Sequence, residues 1–254
     1  MTALYDLGKQ PTTFDFAAFA VIAKTVGESH VRFVYEGKIS AWKYPEYLAW
    51  RRFGNIVLPI CRLAGLDFSV GERIEGQAYG YGYNQVKALY DRLGRIEKLK
   101  PTVARDRKAY TTITLRDSFR NKYRNSNLSA WNRFAEYLKK RGKEVMVLPE
   151  CETAPLDVEY RMELYASADM NLGVSNGPMA LCQFSEAPYI TINMNPKSVD
   201  AQYDNDKVLA KHGLFPGSQL AWRNANQLLV WEPDTYENIV RAYESLMDER
   251  KMAA

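Results

Sequence analysis

Histidine and cysteine are scarce in this chain of 254 residues. His30 and His212 are its two histidines, and Cys61, Cys151 and Cys182 its three cysteines. None of them forms a Cys/His cluster with ligand spacing, which excludes a zinc site of the usual kinds. An odd, widely spaced cysteine set excludes a disulfide framework and fits a reducing compartment. No apolar run approaches the roughly 18 residues that a membrane span needs. The opening Met1-Thr-Ala-Leu-Tyr-Asp6 has neither the basic nor the apolar region of a secretory signal. A cytoplasmic protein is expected. The lack of any repeat at a solenoid period excludes a stacked-repeat architecture.

What is present is the composition of an ordinary globular protein, 46% hydrophobic and 25% charged. The length allows one large domain or two small ones. The net charge of +4 hides an asymmetry. Residues 87–143 carry 17 Lys and Arg against 5 Asp and Glu, whereas residues 144–206 carry 2 against 11. Such a pair of blocks steers an anionic ligand, or consists of two solvated surfaces that attract each other.

Apolar periodicity and turn residues give a βαβ rhythm. Strands are expected at Ala3–Asp6, His30–Tyr35 and Ile56–Leu58, with helices at Phe14–Val26 and Tyr44–Phe53 and a helical turn near Ile60–Ala64. Gly76-Gln-Ala-Tyr-Gly-Tyr-Gly-Tyr83 reads as a surface or interdomain loop, or one that faces a ligand. A helix over Gln85–Leu99 follows, and Arg92–Lys108 is the candidate linker. Beyond it, strands are expected at Tyr110–Leu115, Glu144–Leu148, Met170–Val174, Tyr189–Asn193 and Gln227–Trp231. Helices are expected from Ser129, as cap, to Lys140, and at Val158–Ala166, 179–185 and Thr235–Arg250. Strands alternating with helices imply parallel sheets.

Ser175-Asn176-Gly177-Pro178 sits between an apolar strand and a short helix. Small polar residues followed by Pro mark a helix start, whose N–H groups suit an anion, and Gly177 allows close backbone approach. The same residues are also the ordinary turn of any α/β unit. Arg116, Arg120, Lys122 and Arg124 share one polar loop at the carboxyl end of a strand, where ligands of open α/β sheets bind. Arg116 and Arg120 are the candidate phosphate ligands, and Lys122 and Arg124 are assigned to the solvated surface. Trp131, Trp42, Tyr44, Tyr47 and Trp50 could stack on a sugar or base, but their helical spacing favours core packing. Glu163 is placed on a helix surface and Asp169 at a turn, both structural. His212 is placed on a surface loop.

These residues, from Tyr110 to Ile192, resemble the nucleotide-sugar-binding domain of the GT-B glycosyltransferases, and the lipopolysaccharide heptosyltransferase-like family in particular. The likeness is carried by Arg116 and Arg120, Trp131, Phe134-Ala135, Leu138, Gly142, Val145–Leu148, Leu164, Ala166-Ser-Ala-Asp169 and Ser175-Asn-Gly-Pro-Met-Ala-Leu-Cys182. The resemblance implies two Rossmann-like halves whose parallel sheets face a cleft, with a reduced first half. The halves are expected at residues 1–100, on the acceptor side, and 101–254, on the nucleotide-sugar side. It implies transfer of a sugar from a nucleotide diphosphate donor to a hydroxyl acceptor, a glycan or a lipid-linked one, in surface or envelope glycan assembly.

In the first half the resemblance places a catalytic base just before the first helix, and Asp15 stands there. By its own chemistry Asp15 is equally a helix N-cap. Arg116 and Arg120 would hold the diphosphate, and Ser175, Asn176, Gly177 and Pro178 would meet the nucleotide. No cofactor or metal is implied beyond the nucleotide sugar itself. A homo-oligomer and peripheral contact with the inner face of a membrane are compatible with this reading. At the turn the family's Asp-Ser is Ser175-Asn176 here, and its His is Ala180. That favours a second reading, a non-catalytic nucleotide- or glycan-binding protein of the same fold. A nucleotide-sugar epimerase lacks the carboxylates and histidine it needs. An RNA-binding role for the basic 87–143 block is a further alternative, marked by strongly salt-dependent binding.

Overall fold

The computed structural model describes residues 1–39, 45–103, 106, 108–119, 121–150, 157–196, 207, 209–210 and 212–253. The first sheet contains β1 (Thr2–Asp6), β2 (His30–Val34), β3 (Asp67–Gly71) and β4 (Gln77–Ala78), in the order β3-β2-β1-β4. The second contains β5 (Lys108–Arg116), β6 (Glu144–Glu150), β7 (Ala168–Val174), β8 (Tyr189–Ile192) and β9 (Gln227–Leu229), in the order β6-β5-β7-β8-β9. Every pairing in both sheets is parallel. The fold is therefore α/β with two parallel sheets.

Sequence chemistry explains most elements. Tyr110-Thr-Thr-Ile-Thr-Leu115 is β-branched and buried through Thr114, as suits a strand covered on both faces. Helix α1 (Phe16–Thr25) is buried from Phe16 to Ala23 and ends before Gly27, whose φ of +92° only glycine adopts readily. Helix α5 (Leu128–Lys140) turns Trp131, Phe134, Ala135 and Leu138 inward and stops before Gly142 at φ +73°. Its cap is Asn127 rather than Ser129, because Asn127 Oδ1 accepts the Ala130 N–H at 3.2 Å.

Other expectations fail. Ile56-Val-Leu58 is not a strand. It belongs to a helical run made of α2 (Glu46–Arg52), a π-turn (Phe53–Val57) and α3 (Leu58–Leu63). A short apolar run cannot by itself distinguish a buried strand from a buried helix, and here packing decided. The strand of that βαβ unit is β3, whose Asp67-Phe-Ser-Val-Gly71 was not expected. Helix α4 (Tyr83–Leu93) stops at Gly94, left-handed at φ +68°, and does not run on to Leu99.

The rest of the second half follows the expected order, with α6 (Val158–Ser167), α7 (Met179–Gln183) and α8 (Tyr236–Ala253). One face of the second sheet packs on α5 and α8, through Ile113, Leu172, Ile190, Phe134, Ile239 and Tyr243. The other face joins the first half in a single apolar core that runs from Tyr5, Phe16 and Phe33 to Met162, Tyr165, Phe184 and Trp222. Arg62 on α3 and Glu159 on α6 form an ion pair at 2.6 Å across this junction. The chain between the halves is pinned to both, since the Leu99 N–H donates to Phe184 O at 2.8 Å and the Lys100 N–H to Leu63 O at 2.9 Å. Among the described residues, no helix is long and apolar enough to cross a membrane.

Candidate functional site

In an open parallel sheet, a crevice forms outside the carboxyl ends of two adjacent strands whose onward connections leave in opposite directions. In the second sheet that point lies between β5 and β7. In the first sheet β4 is the edge strand and its chain goes on to the second sheet, so the carboxyl ends of β1 and β4 lie side by side at that edge. Four loops therefore frame the candidate site: those after β1, β4, β5 and β7.

Two of these loops hold what the sequence singled out in the second half. The loop after β5 is closed on itself. The Arg116 N–H donates to Ser126 Oγ at 2.8 Å, and the Ser126 N–H returns to Arg116 O at 2.9 Å. Asn125 bridges to both backbone groups of Ser118, and Asn121 takes a left-handed φ of +50°. The loop so built aims Arg124, whose Nη2 donates to Ser175 O at 3.0 Å. Arg124 thus joins the turn that the sequence assigned it away from. Arg116 is half-buried at the strand end, as expected, and Arg120 lies outside the described residues.

The Ser175–Pro178 turn is where the sequence put it, but its chemistry differs from a bare helix start. The Met179 N–H donates to Asn176 Oδ1 at 3.2 Å, and the N–H groups of Ala180 and Leu181 donate to Gly177 O and Pro178 O at 3.0 Å each. The first amides of α7 are therefore already occupied, and five residues make only a small dipole. The donors left for an anion are the N–H groups of Asn176 and Gly177, which make no hydrogen bond among the described residues, and the guanidinium of Arg124. Ala180 is buried in the core rather than presented to the cleft.

The other two loops belong to the first half. Asp15 stands at the start of α1, exposed, and its side chain makes no cap hydrogen bond. The carboxylate's one hydrogen bond among the described residues comes from Thr13 Oγ1 at 2.8 Å. The loop after β4 carries Tyr79, Tyr81 and Tyr83, all partly buried against the core. Gln10 Nε2 donates to Tyr79 O at 3.3 Å and ties the two loops together. Burial, with the Asp15 charge behind it, holds the phenols of Tyr81 and Tyr83 above their ordinary range.

The two halves touch beside these loops. The ring of Phe14, beside Asp15, lies on Gly177, where a Cβ would stand 2.5 Å from Phe14 Cδ2. Tyr83 Oη donates to Gln183 Oε1 at 2.5 Å. Sequence reasoning missed these residues because strand order alone makes them neighbours. The one available signal was the glycine-rich Gly80-Tyr-Gly82 just before a helix.

Several other expectations resolve into structure. Trp131 is core, its Nε1 donating to Asp234 Oδ2 at 2.9 Å. Trp50 packs partly buried against the core and Tyr47 is exposed, while Trp42 and Tyr44 lie outside the described residues. Glu163 is buried, not on a helix surface. Asp169 pairs with Arg250 at 3.0 Å. His212 lies in a turn, partly buried, with its ring centroid 6.2 Å from that of Tyr83. In the basic block, Lys98 pairs with Glu186 and Lys143 with Asp169, both in the acidic block.

A cavity of about 360 Å³ lies elsewhere, lined by Ile96–Pro101, Met162, Ala166, Glu186 and Ala187. No group of three or more potential metal ligands occurs among the described residues. Contrary to the expectation that the chain has no Asp-x-Asp motif, Asp204-Asn205-Asp206 is one, and it lies outside the described residues.

No protein-family model and no curated protein sequence matches the chain. Among solved structures, the chain is similar to the E. coli heptosyltransferase WaaC with ADP, at a TM-score of 0.48 and 12% identity, over 99% of this chain and 100% of that one. It is also similar to TibC, a bacterial iron-containing dodecameric glycosyltransferase from enterotoxigenic E. coli, at a TM-score of 0.46 and 14% identity, over 97% of this chain and 75% of that one.

Proposed function

We propose that this protein transfers a sugar from a nucleotide diphosphate donor to a hydroxyl acceptor. The observation that carries this reading is the contact of Phe14, the neighbour of Asp15, with Gly177, which brings a carboxylate toward the turn that Arg124 joins. Residues 1–100 form the acceptor side and residues 101–254 the donor side. Asp15 removes the proton of the acceptor hydroxyl as the bond to the sugar forms. Arg116 and Arg124, with Arg120 from the same loop, stabilise the charge that gathers on the departing diphosphate. Ser175, Asn176, Gly177 and Pro178 lie against the nucleotide, the N–H groups of Asn176 and Gly177 supplying its hydrogen bonds.

This route needs no bound metal, and Asp204-Asn205-Asp206 in the sequence offers carboxylates for a competing metal route. Turnover that survives a chelator supports the first, and turnover that a chelator abolishes and Mg²⁺ restores supports the second. The acceptor is a glycan or lipid-linked hydroxyl, in glycan assembly at the cytoplasmic face of a membrane.

A thermal-shift series with UDP, GDP, ADP, CMP and their sugars tests the reading, since a ligand of the native state raises the melting temperature. A shift with one nucleotide and its sugar is expected. No shift with any of them overturns it. The second reading, a protein that binds a nucleotide without turning it over, is favoured by Ser175-Asn176 and the buried Ala180. A nucleotide shift without donor turnover would select it.

A further inference from the structure

The helix α7 is held by the first half of the chain at both of its ends. At its start, Phe14 lies on Gly177 so closely that any side chain there would collide with the ring. At its end, Gln183 accepts the Tyr83 hydroxyl, and Phe184, the next residue, accepts the Leu99 N–H at 2.8 Å. The Tyr83 ring lies 5.1 Å from that of Phe184 and 6.2 Å from that of Trp222, and Trp222 Nε1 donates to Gln183 O at 2.9 Å. Gln183 itself is buried. The backbones also approach closely, since a Cβ on Gly213 would stand 3.1 Å from Asn84 Cβ. A five-residue helix has little stability of its own, so its place is set by what grips it.

We propose that Phe14 and Tyr83 are positioning residues, through which the first half clamps α7 and so sets the 175–178 turn of the second. This rests on the donor-site reading of that turn for its functional consequence, but not for the clamp. The cleft is then preorganised, and its two walls are one mechanical unit instead of two bodies hinged on a linker. A displacement at either end of α7 is felt at the backbone N–H groups of Asn176 and Gly177.

Hydrogen exchange tests this on the full chain. Tyr83→Phe removes only the hydroxyl, and Phe14→Leu only part of the ring contact. Exchange in the peptide that covers α7 is expected to rise about three- to ten-fold in each variant, the effect of one lost buried hydrogen bond or its packing equivalent. Peptides from α5 and α8 should be unchanged. Binding of ADP, UDP and GDP is measured alongside, and the nucleotide that binds wild type should bind both variants more weakly. Unchanged exchange at α7 in both variants overturns the clamp. Faster exchange with unchanged nucleotide affinity overturns the positioning role. Faster exchange in a protein whose wild type binds none of the three nucleotides leaves the clamp standing and removes the donor-site reading.

Discussion

Phe14 and Gly177 are 163 positions apart and in van der Waals contact, the ring of one covering the Cα of the other. Glycine at 177 is required by that contact and not by backbone strain. The same contact brings the start of α1, where Asp15 stands, to the 175–178 turn.

Gly177→Ala should therefore destabilise the protein by about 1–3 kcal/mol, the usual effect of overpacking. In a Phe14→Leu background the same change should cost measurably less. Urea midpoints of the four proteins give the coupling directly, and strict additivity would show that the two residues do not touch in solution.

Asp15→Asn should lower donor turnover about 10²–10⁴-fold, the loss expected for a general base. Stability should stay within about 0.5 kcal/mol of wild type, because the side chain caps nothing. Equal turnover by the two proteins would remove Asp15 as the base.

Arg124→Ala removes a guanidinium that already spans to Ser175 O. Nucleotide diphosphate affinity should fall about ten-fold or more, as for lost hydrogen bonds to a charged group. Lys122→Ala, an exposed cation on the same loop, serves as the comparison and should change affinity by less than about two-fold. Calorimetric titration with the nucleotide that binds wild type distinguishes the two.

Trp131→Phe keeps the ring volume nearly intact but leaves Asp234 without the indole N–H. Asp234 also accepts the Asn127 N–H at 2.7 Å, so the change loosens the α5 cap. A loss of about 1–3 kcal/mol of stability is expected, with nucleotide affinity unchanged. A selective loss of affinity would instead return Trp131 to the binding site.

Stability should fall above pH 10. Burial and the hydrogen bond to Glu28 push the Tyr79 phenol up to about 12, and burial pushes Tyr165 up to about 12 against the lowering effect of Arg161. Phenols that titrate higher in the folded chain than in the unfolded one add stability that is fully present below pH 10. That stability is lost as pH rises from 10 through the folded values. Urea midpoints across pH 8–12 should stay flat and then drop. A flat profile to pH 12 would show the tyrosines exposed.

Much of the fold is legible in the residue order. The β-branched run at 110–115, the apolar 16–23 and the glycines at 27 and 142 each impose a local conformation whatever surrounds them. The Ile56-Val-Leu58 run is helical against the strand expected of it, because three apolar residues suit a buried helix as well as a strand. Helix α4 was extended past Gly94 because a basic, polar continuation does not by itself break a helical pattern.

The site was legible only in its local parts. The 175–178 turn, Arg116 and Asp15 each occupy a position that their own neighbours in sequence define. Arg124 looked solvated because nothing local shows that the Asn121 and Asn125 turns bring it back onto Ser175. The Gly80–Tyr83 segment looked like an ordinary loop because its role comes from β4 lying beside β1.

The sequence by itself determined most of the strands, helices and turns, and which turn is built of small residues. Those choices are made by backbone torsions, side-chain shape and apolar periodicity within a few residues. Only the tertiary structure decided that Phe14 meets Gly177, Arg124 meets Ser175 and Tyr83 meets Gln183. Strand order and the shared core between the sheets place them together, and both arise from packing between residues far apart in the chain.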